Sequence, residues 1–164
     1  MEHLEVDERE EMWEKVQEAL LNDQIDQFRA EFLEMHPYDQ ASLFEEMEVE
    51  VRKKVYMYLS PEEISEVMEH IDHEDVEPFF AEMDPRLASQ VLADMSTDDA
   101  VDILNMLDKN KVASFLTIMD DDDSDEIKDL LHYEEKTAGS IMTTEFVVVK
   151  ANMTVREAML HLRR

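Results

Sequence analysis

The chain has no cysteine and a single glycine, Gly139. Without cysteine neither a disulfide framework nor a thiolate zinc site can form, and a reducing cytosol is the natural compartment. One glycine excludes Walker and dinucleotide phosphate loops and the nucleophile elbow of hydrolases, each of which needs glycines where backbone turns sharply or approaches a ligand. Basic residues are scarce too: 15 Lys and Arg stand against 43 Asp and Glu, for a formal net charge of −28. Such a surface repels phosphate backbones and anionic lipids, so nucleic acid is not an expected partner. No run approaches the roughly 20 apolar residues that span a bilayer. Met1 to Glu11 is acidic where a signal peptide would be basic, so a soluble piece is expected. The charge has two readings, simple solubility or a salty habitat on one side and relief by bound divalent cations on the other.

What is present is a repeat. With 44% apolar residues in 164, the chain can build one ordinary domain, or one domain with part of a second. From residue 36 to 131 it divides into eight units of twelve, the first reading HPYDQASLFEEM and the last DDDDSDEIKDLL. The eighth place holds Leu43, Val55, Val67, Phe79, Val91, Ile103, Phe115 and Ile127. The twelfth holds Met47, Leu59, Ile71, Met83, Met95, Leu107, Met119 and Leu131. The ninth is apolar from Phe44 to Leu116 and fails at Lys128. Places five, eight, nine and twelve have the spacing of a buried helical stripe.

A straight helix cannot carry this pattern onward, because twelve residues at about 100° each leave the stripe rotated by roughly 120°. Each unit must therefore be a separate short helix. Ser60, Asp72, Asp84, Ser96, Asp108 and Asp120 stand at the first place as N-caps, and Pro37, Pro61 and Pro85 at the second, where a missing N–H costs nothing. Units so short bury their stripes only by stacking as hairpins. The expected fold is all-α: a right-handed superhelix, an armadillo-like α-solenoid, over residues 1–133. A longer amphipathic helix over residues 2–21, with Trp13, Val16 and Leu20, leads it, and Gln24 to Met35 form a degenerate ninth unit. Pro78 should delay or kink its helix.

After Tyr133 the pattern changes. Residues 134–145 read as a linker, Phe146 to Val149 as a strand, and Thr154 with Glu157 as a capping box opening a helix. Residues 146–164 are thus expected to begin an α/β domain without completing it.

Several chemistries fail on inspection. Asp120 to Asp123 start no EF-hand, because the positions needing glycine and glutamate are Asp125 and Leu131. His70 and His73 straddle a unit boundary and need not share a face. Met35, Met47, Met83, Met95 and Met119 occupy core places, so packing explains them better than soft-metal ligation. No nucleophile, oxyanion site or cofactor cradle is present, and an enzyme is not expected. The unit STDDAVDILNML is different: Asp98, Asp99 and Asp102 lie in one short helix, with Asp98 and Asp102 four apart on one face. Acidic decoration of a helix start explains them. So does a hard divalent cation, because magnesium takes one or two carboxylates directly and keeps several waters.

The repeat beginning His36-Pro37-x-Asp39, the unit Asp98-Asp99-Ala100-x-Asp102, the joint Tyr133-Glu134-Glu135-x-Thr137-Ala138-Gly139-x-x-Met142-Thr143 and Thr154-Val155-x-Glu157-Ala158 resemble, in order, the cytosolic part of MgtE magnesium transporters. The joint is similar to the segment leading from that family's helical N domain into the first of two CBS domains. The resemblance implies a homodimeric protein on the cytoplasmic face of the bacterial plasma membrane, with the N domain and CBS pair hanging beneath a pore. It implies regulatory Mg2+ held between N domain and CBS domains, closing the pore, and places ATP only in the CBS region. The residues matching the family's N-domain ligand positions are Glu66, Asp98 and Asp102, with Asp99 contributing charge. A similar short-helix repeat occurs in the flagellar motor switch protein, so a scaffold that binds protein partners is the alternative. The strand and capped helix after Gly139 favour the transporter.

Overall fold

A computed structural model describes residues 6–131 and 153–162. Among them every regular element is helical. In chain order these are α1 (Val6–Leu21), α2 (Ile25–Glu34), α3 (Pro37–Glu46), α4 (Val49–Tyr58) and α5 (Pro61–Met68), then a 3₁₀ turn (His73–Asp75) and α6 (Glu77–Glu82). They continue with α7 (Pro85–Asp94), α8 (Thr97–Met106), α9 (Lys109–Ile118) and α10 (Asp121–Leu131), and α11 (Val155–Leu162) stands apart in sequence. The linker expected at 134–145 and the strand expected at Phe146 to Val149 lie outside the described residues. Thr154 opens α11 as anticipated: its hydroxyl accepts the Glu157 N–H at 3.3 Å and its own N–H donates to the Glu157 carboxylate at 2.8 Å. None of the helices among the described residues is long and apolar enough to cross a membrane.

The breaks fall where the twelve-residue period demands them. Helices α3, α4, α6, α7, α8 and α9 close on an extended twelfth-place residue, as at Met47 (φ −66°, ψ 143°), which is followed by the extended Glu48 (φ −65°, ψ 148°). In contrast, α5 ends early at Glu69 in helical conformation and α10 runs through Leu131. Before Pro37, Pro61 and Pro85 the same extended geometry is also what the proline ring imposes on its predecessor. Ser60 forms a full capping box with Glu63, Asp84 accepts from the Arg86 and Leu87 N–H groups, and Asp108 accepts from Asn110. The His36 ring nitrogen, which the sequence did not flag as a cap, accepts from Tyr38 at 3.3 Å. Asp72 and Ser96 depart from expectation, since neither side chain accepts a backbone N–H at the start of its helix. Pro78 delays its helix as expected, leaving the 3₁₀ turn ahead of a six-residue α6.

The helices pile into rows that bury the stripe. α3, α5, α7 and α9 stack successively, while α8 lies between the 3₁₀ turn and α10, and α1 packs on α2 and α4. All eight eighth-place residues are buried, and Leu43, Val55, Val91 and Ile103 have no exposed surface. The five core methionines are buried as predicted.

At the fifth place the apolar reading needs correction, because Gln40, Arg52 and Ser124 are polar and buried. They finish the preceding helix. A helix end leaves four carbonyls without intrahelical donors, and here the next helix folds back over them. The Gln40 amide donates to the Phe32 and Met35 carbonyls, the Arg52 guanidinium to those of Phe44 and Met47, and the Ser124 hydroxyl to that of Leu116.

Arg52 is the most heavily used of these. It grips the Glu82 carboxylate at 2.6 and 2.9 Å, lies 4.8 Å from the centre of the Phe79 ring, and shares Glu82 with the Tyr56 hydroxyl at 2.7 Å. The pair is 8% and 12% exposed, so each charge depends on the other for solvation. Burial would raise the Glu82 carboxyl, but the bonds from Arg52 and Tyr56 outweigh it and hold the group below its ordinary value. At the other end of the stack, Asp23 sits after α1 with φ 55°, a left-handed position usually given to glycine. It keeps the site because its carboxylate accepts from Lys54 at 2.7 Å and Tyr58 at 2.9 Å, tying α1 to α4.

Arg52→Ala is expected to cost about 3–5 kcal/mol by urea unfolding, because it strands Glu82 and two backbone carbonyls. Arg52→Met with Glu82→Gln should cost much less. Because Glu82 titrates lower in the folded state, its contribution is present above pH ~4.5 and is lost as pH falls through its folded value. The double variant should therefore show a flatter acid limb in a stability-against-pH series.

Candidate functional site

Among the described residues, the irregular unit brings a side chain from another element onto the α8 carboxylates. Delayed by Pro78, residues after α5 turn through the 3₁₀ segment and set His73 against α8. The His73 ring nitrogens lie 3.4 Å from Asp99 Oδ1 and 3.8 Å from Asp102 Oδ2. Asp99 and Asp102 are three apart on a helix and so share a face. Asp102 remains half exposed. Its carboxyl is raised above the ordinary aspartate value by partial burial, opposed by His73 and reinforced by Asp99 and Asp98.

The start of α8 explains why Ser96 is not a conventional cap. The Ser96 N–H donates 3.0 Å to the Glu69 carboxylate, which reaches over from the end of α5, and the Ser96 hydroxyl donates to Asp99 Oδ2 at 2.6 Å. Glu69 therefore supplies the negative charge that a helix N-terminus favours, and Ser96 orients Asp99.

Of the residues singled out from sequence, Asp98, Asp99 and Asp102 gather on the first two turns of α8. Asp99, given only a supporting role, contacts both Ser96 and His73. Glu66 stands exposed on α5, one turn before Glu69, and no ion pair or side-chain hydrogen bond joins it to α8 among the described residues. Among those residues no three His, Asp or Glu side chains are arranged to hold a metal ion by themselves. His70 and His73 part company as expected: the His70 ring meets Tyr38 edge-on at 5.0 Å and bonds the Glu66 carbonyl at 2.8 Å.

Glu69, His73 and Ser96 were not found from the sequence as members of this cluster. The only signal was the misfit at Pro78, which marks the unit whose start cannot be an ordinary helix.

Like charges on one face of α8 should be measurable. In metal-free buffer of low ionic strength, Asp98→Asn is expected to stabilise the chain by a few tenths of a kcal/mol. The gain should fade when about 0.5 M monovalent salt screens the carboxylates, as denaturant titrations at the two salt concentrations would report.

Comparisons with known proteins agree with this architecture. Residues 35–136 match the family described as the MgtE intracellular N domain. The chain is 48% identical over 158 residues to the magnesium transporter MgtE of Enterococcus faecalis (strain ATCC 700802 / V583), covering 95% of this chain and 35% of that protein. It thus spans about a third of the length of the curated relative it matches. Among solved structures, the soluble part of a magnesium transporter superposes with a TM-score of 0.89 at 43% identity, over 94% of this chain and 61% of that one. The cytosolic domain of the Mg2+ channel MgtE in complex with ATP superposes with a TM-score of 0.82 at 30% identity, over 92% and 62% of the two chains.

Proposed function

The chain belongs to the MgtE family, and from that membership we propose that it is the cytosolic, magnesium-sensing part of a magnesium transporter. The observation that carries the reading is the α8 face, where Asp98, Asp99 and Asp102 crowd together with only the His73 imidazole set between two of them. Crowding of that kind costs folding energy unless a cation offsets it.

The donor set suits a hard divalent cation and no soft one. Carboxylate oxygens are magnesium's ligands, and one or two of them suffice when the ion keeps its waters. Asp98 and Asp102 would take the ion directly, Asp99 would add charge while held by Ser96, and Glu66 on α5 would serve a separate contact. These residues are too few to bind tightly alone. The remaining carboxylates would come from the CBS region, so the cation bridges two acidic modules that repel each other in its absence. Binding would stabilise one domain arrangement by its differential affinity for the two, and no bond is made or broken.

In the intact transporter this arrangement would close the pore when cytosolic magnesium is plentiful and release it when magnesium falls. It would act within a homodimer on the cytoplasmic side of the bacterial plasma membrane. ATP, named with one structural neighbour, would belong to the CBS region. The alternative of a partner-binding scaffold like the flagellar motor switch protein is less well supported, because the similarity to MgtE runs through the repeat and on across 95% of the chain.

Small-angle scattering on this region joined to its CBS domains should show compaction when millimolar magnesium replaces chelator. Asp98→Ala with Asp102→Ala should abolish the compaction, while Asp125→Ala on α10 should leave it intact. One unchanging shape in both buffers would rule the mechanism out.

A further inference from the structure

A groove of about 420 Å³ lies between α7, the start of α5 and the turn joining α9 to α10. None of its residues belongs to the α8 cluster. We propose that this groove receives an extended segment of a partner polypeptide carrying a carboxylate and, about four residues later, a lysine or arginine.

The two ends of the groove carry opposite charge. At one end stands Arg86, on the first turn of α7, exposed and without an ion pair among the described residues. At the other end Asp94 closes α7 and is joined by Asp123 from α10, while Asp120, just ahead of α10, adds a third carboxylate to the lining. A carboxylate at a helix C-terminus faces the negative end of the dipole. Burial, followed by the fields of Glu62 and Asp123, pushes the Asp94 carboxyl above its ordinary value. Among the described residues no cation is paired with Asp94 or Asp123 at that end, and no carboxylate with Arg86.

Between the poles Ser89 and Gln90 line the α7 side, and Ala93, Met119 and the 44%-exposed Ile118 form an apolar wall beside them. A small hydrated cation gains nothing from such a wall. A lysine or arginine stem packs along it while its head reaches the carboxylates. Spacing sets the rest of the specificity. Arg86 and Asp94 are eight residues apart on one helix, about 12 Å at 1.5 Å per residue. An extended chain covers that distance in about four residues. A uniformly basic segment would meet Arg86 head-on, so the matching partner carries both signs.

Fluorescence anisotropy with tagged pentapeptides tests this on the 164-residue chain. The peptide ELAVK should bind more tightly than KLAVK. Asp94→Asn or Arg86→Glu should each weaken ELAVK about tenfold, with Arg86→Glu reversing the preference toward KLAVK. Ile118→Ser should weaken ELAVK as well, and Asp125→Asn, outside the groove, should change it less than about twofold. The proposal is overturned if KLAVK binds the native chain better and Asp125→Asn acts like Asp94→Asn, since bulk acidity then explains binding. It is also overturned if magnesium alone occupies the Asp94 end and displaces the peptide at matched ionic strength, or if sedimentation shows the groove covered by a second copy of the chain.

Discussion

A helix of twelve residues does not bring its apolar stripe back to where it began, and this mismatch governs the molecule. The chain resolves it by ending most of the helices after about ten residues and spending the remaining two in extended conformation. Hairpin stacking then becomes unavoidable, because no single unit can cover its own stripe. Stacking in turn buries helix ends together with carbonyls that have no partners. The fifth-place side chains Gln40, Arg52 and Ser124 answer that need, and their polarity, which looks like noise in an apolar pattern, is required by the packing around them.

The same constraint explains where the candidate site lies. Five units, those of α3, α4, α7, α8 and α9, keep to the rule and form structural rods. The unit from Asp72 to Met83 cannot, because Pro78 removes an N–H from its interior and shifts the helix start forward. The residues released from helical pairing turn through a 3₁₀ segment and carry His73 onto α8. Functional side chains are often found where a repeat is broken, since a segment freed from the regular ladder can point elsewhere.

Charge is distributed with the same economy. The few cations that reach between elements are committed to holding the stack: Arg9 to Asp39, Arg29 to Glu63, Arg52 to Glu82 and Lys54 to Asp23. No lysine or arginine is paired with Asp98, Asp99 or Asp102 among the described residues, where His73 is the nearest basic group. An acidic module built this way holds itself together internally and leaves its carboxylate-rich faces to be neutralised from outside. That asymmetry supports a regulatory reading, because a cation shared with a facing module changes the balance between approach and repulsion.

From its own pattern the chain determined the all-α repeat, the buried eighth-place residues and the buried twelfth-place residues from Met47 to Met119, the caps at Ser60, Asp84 and Asp108 and the grouping of Asp98, Asp99 and Asp102. All of these depend on local periodicity and short-range capping, which are written in the order of residues. Tertiary structure alone decided that Arg52 pairs with Glu82, that Glu69 serves the start of α8 in place of Ser96, and that His73 lies between Asp99 and Asp102. Each of those joins residues 26 to 30 positions apart or turns on the angle at which one short rod crosses the next. Helical period sets the face of every rod, but the packing of neighbouring rods chooses which polar groups on those faces meet.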